Sequence, residues 1–393
     1  MRTIGRLVAL LVLGWALTAP AVADLDWTYA MPDSYGDVGK YSSIAFDSSG
    51  HPHISYYDAS YGNIKYTYYD GSCWTTPQTV EWHGNVGYYT SLALDGSDTP
   101  HVTYYDWDNM RLRYATWTGS DWAVQTVDDS SDVGYNNSLA LDAGGNPHIS
   151  YYDWNNEYLK YAAWNGSTWE IEIVDEVSDV GYTNALALDA SGNPHISYYD
   201  WDNHQLKYTY WNGSDWATQT LDSGGDVGFQ SSLALDSSGH AHISYYDETN
   251  RDLKYTYWDS SQWVTTTVDG AGKDNNVGEY SSLALDANGY AHISYYRDNT
   301  KDLMYASYDA TSWVIETVDA TGDIGKYTSL AVDPETGNIH ISYYDESGGN
   351  LKYATANDPG AIGSDPVPEP AILALFALGL VGLGTALRRR QSD

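Results

Sequence analysis

Short apolar runs recur along the chain at near-constant spacing, separated by clusters of Gly, Asn, Asp and Ser, and the body shows no helical period. Residues 132–178, DVGYNNSLALDAGGNPHISYYDWNNEYLKYAAWNGSTWEIEIVDEVS, contain four strand-like segments, at 138–142, 148–153, 159–164 and 169–175. Seven such units begin at Asp37, Asn85, Asp132, Asp179, Asp226, Asn276 and Asp323, with spacings of 48, 47, 47, 47, 50 and 47 residues. Four antiparallel strands per repeat of this length predict one propeller blade per unit. The expected fold is therefore an all-β, seven-bladed β-propeller over residues 24–356.

The ends of the repeat array favour a closed ring over an open β-solenoid. The last repeat stops after 351–355, without the fourth strand that elsewhere starts at a Trp. Trp27 precedes Asp37 by 10 residues, the offset at which Trp122, Trp169, Trp216 and Trp313 precede their next units. Residues 25–32 are expected to complete blade 7. In the outer strand Trp169-Glu170-Ile171-Glu172-Ile173, alternation marks one face against a neighbour and one partly wet. The glycine of each DVG-type start (Gly39, Gly87, Gly134, Gly181, Gly228, Gly278, Gly325) is expected to hold a conformation closed to Cβ, or to allow close approach near the axis.

Both termini read as addresses. Arg2 and Arg6, an apolar run, and small residues at Ala21 and Ala23 predict a signal peptide over 1–23, cleaved between Ala23 and Asp24. After a linker at 357–367 come Pro368, Glu369 and Pro370, an uncharged stretch at 371–387 and the cluster Arg388, Arg389, Arg390. Seventeen residues at about 1.5 Å each make roughly 26 Å of helix, close to the short limit for a membrane span, with the arginines on the cytoplasmic side. This tail, 368–393, resembles the PEP-CTERM sorting signal of Gram-negative bacteria. The resemblance implies recognition by an exosortase, an inner-membrane intermediate, removal of the tail, and delivery to the cell surface or extracellular matrix. An ordinary membrane anchor is the alternative, and on either reading the body touches the membrane only through the C-terminal transmembrane helix.

Charge narrows the partners. Setting aside Arg2, Arg6 and Arg388 to Arg390 leaves 13 of 18 basic residues, and setting aside Asp393 leaves 52 of 53 acidic ones, a net charge near −39. Such a surface repels nucleic acid and anionic lipid. The single Cys73 forms no intramolecular disulfide, and zinc-type Cys/His spacings are missing. Three Phe against 38 Tyr demand a core in which Tyr packs its ring and still satisfies its hydroxyl.

Four sets of residues could carry chemistry. One histidine per blade (His53, His101, His148, His195, His242, His292, His340) opens the second strand, too far from the axis to converge on one ion, so an inter-blade hydrogen-bond network is expected. Asp37, Asp132, Asp179, Asp226 and Asp323 share a face with the Asp after each Tyr pair: Asp58, Asp106, Asp153, Asp200, Asp247 and Asp345. These accept turn amides, as Asx residues do, or else form oxygen-ligand Ca²⁺ sites, the candidates being Asp132, Asp153, Asp179 and Asp200. No other cofactor is indicated.

The most informative set departs from the repeat. Blades 2, 3 and 4 read YYDWDN, YYDWNN and YYDWDN, where the others have Ala59, Glu248, Asp298 or Glu346 in place of Trp. Trp107, Trp154 and Trp201, with Asp106, Asp153, Asp200, Asn109, Asn156 and Asn203, have the composition of a sugar site: an apolar platform beside acceptors and donors. Duplication of adjacent blades, or a Trp folded onto its own loop, is the alternative.

Over residues 25–356 the repeat ring and turns resemble bacterial lectin-like and fucose-specific-lectin-like propellers. Sites in that family lie between blades and use Arg, Glu and Trp; the body here has only Arg111, Arg113, Arg251 and Arg297. The WNGSTW and WNGSDW turns are similar to sialidase Asp-boxes but lack the Ser-x-Asp order. The sole insertion, about three residues within 270–275, is too short for a lid. The expectation is a non-catalytic carbohydrate- or matrix-binding propeller whose partner is an extracellular polysaccharide. A glycan-active hydrolase or lyase, and a purely structural matrix protein, stay open.

Overall fold

The computed structural model describes residues 25–270, 276–333 and 335–357. The signal peptide with Ala23 and Asp24, the inserted residues 271–275, the linker from 358, and the tail with Pro368, Glu369, Pro370, Arg388, Arg389, Arg390 and its expected helix lie outside them. Within the described residues no helix is long and apolar enough to cross a membrane.

Seven four-stranded antiparallel sheets form the blades, six of them running in chain order. First strands contact one another around the ring and line the axis. Blade 7 combines Ile324–Val332, Asn338–Asp345 and Asn350–Asn357 with Thr28–Asp33 from the other end of the chain. Trp27 sits edge-on to Tyr305 of blade 6, centroids 5.3 Å apart. The six other junctions repeat that contact, from Tyr66–Trp122 to Tyr353–Trp74, at 5.0–5.4 Å. The closing strand thus supplies the same wedge as every other outer strand.

First strands begin earlier than the hydrophobic pattern predicts: Val133–Leu141 rather than 138–142. The DVG glycines belong to these strands at φ of +102° to +113°. A Cβ on Gly134 would stand 2.8–2.9 Å from Leu112 of the preceding blade, so the conformation closed to Cβ is as expected and a close approach adds to it. The close approach is to the neighbour's third strand rather than at the axis.

Seven apolar clusters, one per junction, make up the core. The cluster between blades 2 and 3 joins Leu112, Tyr114 and Val127 to Val133, Leu139, Ile149, Tyr151 and Ala162. The Tyr pair bonds these junctions together. Its first hydroxyl donates to the carboxylate ending the preceding blade, as Tyr151 does to Asp128, at 2.5–2.9 Å in all seven. Its second donates to the Asp or Asn opening the next unit, as Tyr152 does to Asp179, at 2.5–2.7 Å. Asn85 and Asn276 serve as well as Asp because the hydroxyl needs an oxygen acceptor, not a charge. Each preceding-blade carboxylate also holds a Lys or Arg at 2.5–2.9 Å. The Tyr-pair phenols are thereby satisfied, and the carboxylates that take the first of each pair are matched by a cation, as a core of this composition requires.

The histidines differ from expectation. Each Nδ1 bonds the Tyr hydroxyl 13 residues on, within its own blade, as His148 does with Tyr161. Nε2 faces an Asp of the first turn at 3.6–4.0 Å in six blades. Strands two and three are paired in register, so a same-face Tyr is nearer than anything on the next blade. The hydrogen bonds that cross between blades come from the Tyr pair and from Ser, Thr and Asn side chains, not from the histidines.

Candidate binding face

The loops joining strands two and three, and those joining one blade to the next, emerge on one face. There Trp107, Trp154 and Trp201 are 46 %, 50 % and 47 % exposed. None is free-standing. Trp107 leans on Tyr88 at 5.2 Å and meets Tyr105 edge-on, and Trp154 takes the same posture on Tyr135 and Tyr152. Trp201 contacts Tyr182 at 5.4 Å and Tyr199 edge-on. Each indole is therefore propped by aromatic rings of its own blade, with about half of its surface left to solvent.

The polar half of the expected site needs correction. Asp106, Asp153 and Asp200 are buried rather than open beside the indoles. Each accepts from the backbone N–H and the side-chain amide of the Asn three residues on, Asn109, Asn156 or Asn203. This is an Asx-type closure of a tight turn, and it consumes the Asn donors. Acceptors near the indoles come instead from the next unit: Asp132 and Asp179, which are partly exposed and take the Tyr105 and Tyr152 hydroxyls. Burial pushes both phenols up, reinforced by Tyr135 and Asp132 for Tyr105 and by Asp179 for Tyr152. Burial likewise raises the Asp179 carboxyl.

The Ca²⁺ candidates are engaged in the same contacts. Asp153 faces the Lys160 ammonium at 3.6 Å and Asp200 that of Lys207 at 3.9 Å, while Asp132 and Asp179 hold phenols. Among the described residues, no group of three or more His, Cys, Asp or Glu is arranged to hold a metal ion.

Sequence reasoning missed part of the aromatic rim. Tyr35, Tyr61 and Trp82 are 73 %, 62 % and 71 % exposed on the same set of loops in and beside blade 1. They fall outside the repeat column occupied by the three tryptophans, and only an alignment of loops by apolar content would have found them. The rim therefore carries exposed aromatics from blade 1 to blade 4. Among the described residues, the loops between strands two and three of blades 5, 6 and 7, and those leaving blades 5 and 6, expose no large apolar side chain. They present ions: Lys301 with Asp298, and Lys326 with Asp323 and Glu346.

Also unforeseen is a cavity of about 350 Å³ on the axis, lined by the first strands of all seven blades. A second cavity of about 360 Å³ lies between blades 4 and 5, where Tyr208, Tyr210 and His195 face His240, Trp258 and Trp263.

Comparison with known proteins bears on the tail and the fold. Residues 366–390 match the PEP-CTERM protein-sorting motif, which implies export and membrane-anchored sorting in bacteria. No curated protein matches the chain. An ulvan lyase from a new family of polysaccharide lyase is similar in structure, at TM-score 0.54 and 13 % identity over 81 % of this chain and 94 % of that one. AofleA from Arthrobotrys oligospora is similar at TM-score 0.52 and 12 % identity, over 77 % and 92 %. A mutant Aleuria aurantia lectin in complex with Fucα1-6GlcNAc is similar at TM-score 0.46 and 16 % identity, over 70 % and 96 %. These likenesses are of fold.

Proposed function

We propose that this exported propeller is a non-catalytic carbohydrate-binding protein that engages an extracellular polysaccharide through the aromatic rim of blades 1 to 4. The observation that carries the reading is the row of three half-exposed indoles on adjacent blades, each oriented by tyrosines. An indole held rigidly by its neighbours loses little entropy on binding and offers a flat apolar face to the C–H face of a sugar ring. Repetition at one-blade intervals suits successive segments of a polymer, so weak contacts combine through multivalency. The carboxylates of this face recur around the ring and are committed to turn amides, phenols or ammonium groups, which favours binding over catalysis.

A glycan array, followed by retention on the retained polysaccharides, tests this with the parent and a Trp107→Ala, Trp154→Ala, Trp201→Ala triple variant. The expected result is a loss of apparent affinity on the order of 100-fold from losing three linked contacts, with thermal stability lowered by only a few degrees. Absence of glycan binding in the parent, or equal binding by the variant, would sink the rim proposal. Reducing-sugar or unsaturated-product release by the parent would move the assignment to a glycan-active enzyme.

A further inference from the structure

The axial cavity is built from one position per blade, two residues after the DVG glycine. Going round the ring from blade 6 it holds Tyr280, Tyr327, Tyr41 and Tyr89, and then Asn136, Thr183 and Gln230. The next residue in each blade is a small polar one whose main task is to bond the neighbouring blade. Six of the seven junctions carry that bond, as between Ser342 and Ser42. At this position the lining divides into an aromatic arc on four adjacent blades and an amide and hydroxyl arc on the other three, to which Tyr182 and Phe229, one residue earlier on blades 4 and 5, add two aromatic rings.

All seven of these residues have left-handed backbone, at φ of +46° to +56°. The register of strand one against strand two shifts there, so each sits in a bulge that turns its side chain toward the axis. Left-handed geometry disfavours any residue with a Cβ, and a β-branched one such as Thr183 most of all. The same strand uses glycine for its positive φ two residues earlier. Seven side chains kept where glycine would be easier are retained for what they present to the cavity.

The aromatic arc is a continuous wall: Tyr41 packs on Tyr327 at 4.5 Å and on Tyr89 at 4.8 Å, and Tyr280 on Tyr327 at 4.8 Å. Burial, reinforced by neighbouring phenols, pushes Tyr41, Tyr89 and Tyr280 well above the ordinary tyrosine value, so they remain neutral. Among the described residues no Asp, Glu, Lys or Arg lines the cavity, although the chain as a whole has a net charge of −35. On the opposite wall Thr183 and Gln230 use oxygens to accept backbone N–H groups. Blade 3 departs from the pattern: Asn137, 7 % exposed, donates to the Gly134 carbonyl, and its Oδ1 and Thr103 Oγ1 of blade 2, the pair bonded at the other six junctions, are both buried without a partner, while Asn136 and Tyr182 line the cavity.

We propose that this cavity is a second, single site that takes one neutral, polyhydroxylated ring, such as an uncharged monosaccharide unit. The phenol wall receives its apolar face, and the side chains of Asn136, Thr183 and Gln230 line the wall that meets its hydroxyls. The volume lies in the ~300–1,000 Å³ range of small-molecule sites. An anionic sugar would find no cation in the lining. The cavity is separate from the rim, and only the ligand class is shared with the function proposed above.

Titration calorimetry with methyl glycosides of neutral hexoses and pentoses tests it, using methyl glucuronide and tetramethylammonium as comparison probes. The parent should bind one neutral glycoside per chain. Asn136→Gly, which relieves the left-handed strain, should keep or raise the melting temperature while weakening binding at least tenfold. The triple tryptophan variant should bind the glycoside like the parent, so a failed rim and a failed axial site give different results. Absence of glycoside binding, equal binding by Asn136→Gly, loss of binding only in the triple tryptophan variant, or preference for either comparison probe would overturn the proposal.

Discussion

Between the blades, Tyr151 and its six counterparts all end on a carboxylate of the preceding blade, and Tyr152 and its counterparts all end on the Asp or Asn that opens the next. On the loop face, the position after the Asp is Trp in three blades and Ala, Glu or Asp in four. Both regions descend from the same repeat, yet one does the same task seven times and the other does not. A residue repeated at every junction is under the demand of closing a ring, whereas a residue that changes from blade to blade is released from that demand. Changes between the blades should therefore be read in stability, and changes on the face and axis in binding.

Deleting residues 25–33 should have the largest effect on the first region. It removes the outer strand of blade 7, the Trp27 wedge with its indole N–H bond to Glu316, and Asp33, which receives both Tyr56 and Lys65. A melting temperature lower by on the order of 10 °C or more, or failure to fold, is expected in a thermal scan. An unchanged transition would mean that the ring does not depend on being closed by its own N-terminal strand.

Acid should separate the regions next. Burial lowers His242 and His340 to about 4, with a nearby Asp opposing it only in part; His53, His101, His148 and His195 are lowered for the same reason. The unfolded chain takes up these protons first, so stability is whole above the ordinary histidine value of 6.5 and declines as pH falls toward 4. His242 and His340 each remove roughly 3 kcal/mol over that window. Burial alone would raise Asp128, Asp222 and Asp319, but their Lys, Tyr and other hydrogen-bond partners outweigh it and hold them low. Their contribution is present above 3.8 and is lost as pH falls further. Denaturant midpoints between pH 7 and 4 should drop while rim binding, which rests on indoles, stays level over the part of that range in which the protein is folded. A flat midpoint would contradict the assignment of neutral, buried histidines.

The repeated region was the legible one. Seven units, the four-strand blade and the completing segment at Trp27 all follow from spacing, because spacing is what a closed ring regulates. The first strands were read short because DVG looks like a turn; their glycines work inside a strand at a bulge. The histidines were assigned to the wrong partner because Tyr161 lies 13 residues from His148 and only strand register shows that they share a face. The axial cavity left no signal, since Tyr41, Asn136 and Gln230 differ in type and become equivalent only when the ring places them around one axis. Tyr35, Tyr61 and Trp82 were invisible for a similar reason: each occupies a loop position its counterparts do not share.

Blade 6 offers the finest test, because there the repeated region itself departs from its pattern. Six blades end strand two with Asp and place Lys or Arg on strand three to reach the preceding carboxylate. Blade 6 has Arg297 at the first position and Met304 at the second. Arg297 reaches back to Asp269 at 2.9 Å, so the cation has moved to a different strand while the ion pair has stayed. Its Nε is nevertheless buried without a partner, and Met304 fills the space of a lysine stem. Arg297→Asp alone leaves Asp269 without a cation and adds a second carboxylate, which should cost about 2–4 kcal/mol in denaturant unfolding. Met304→Lys alone brings a second cation beside Arg297 and should cost about 1–2 kcal/mol. The double variant restores the arrangement of the other blades and should return to within about 1 kcal/mol of the parent, a coupling of at least ~2 kcal/mol. If the two costs simply add, the residues were not exchanged to preserve one ion pair, and blade 6 belongs with the variable face rather than with the repeated interior.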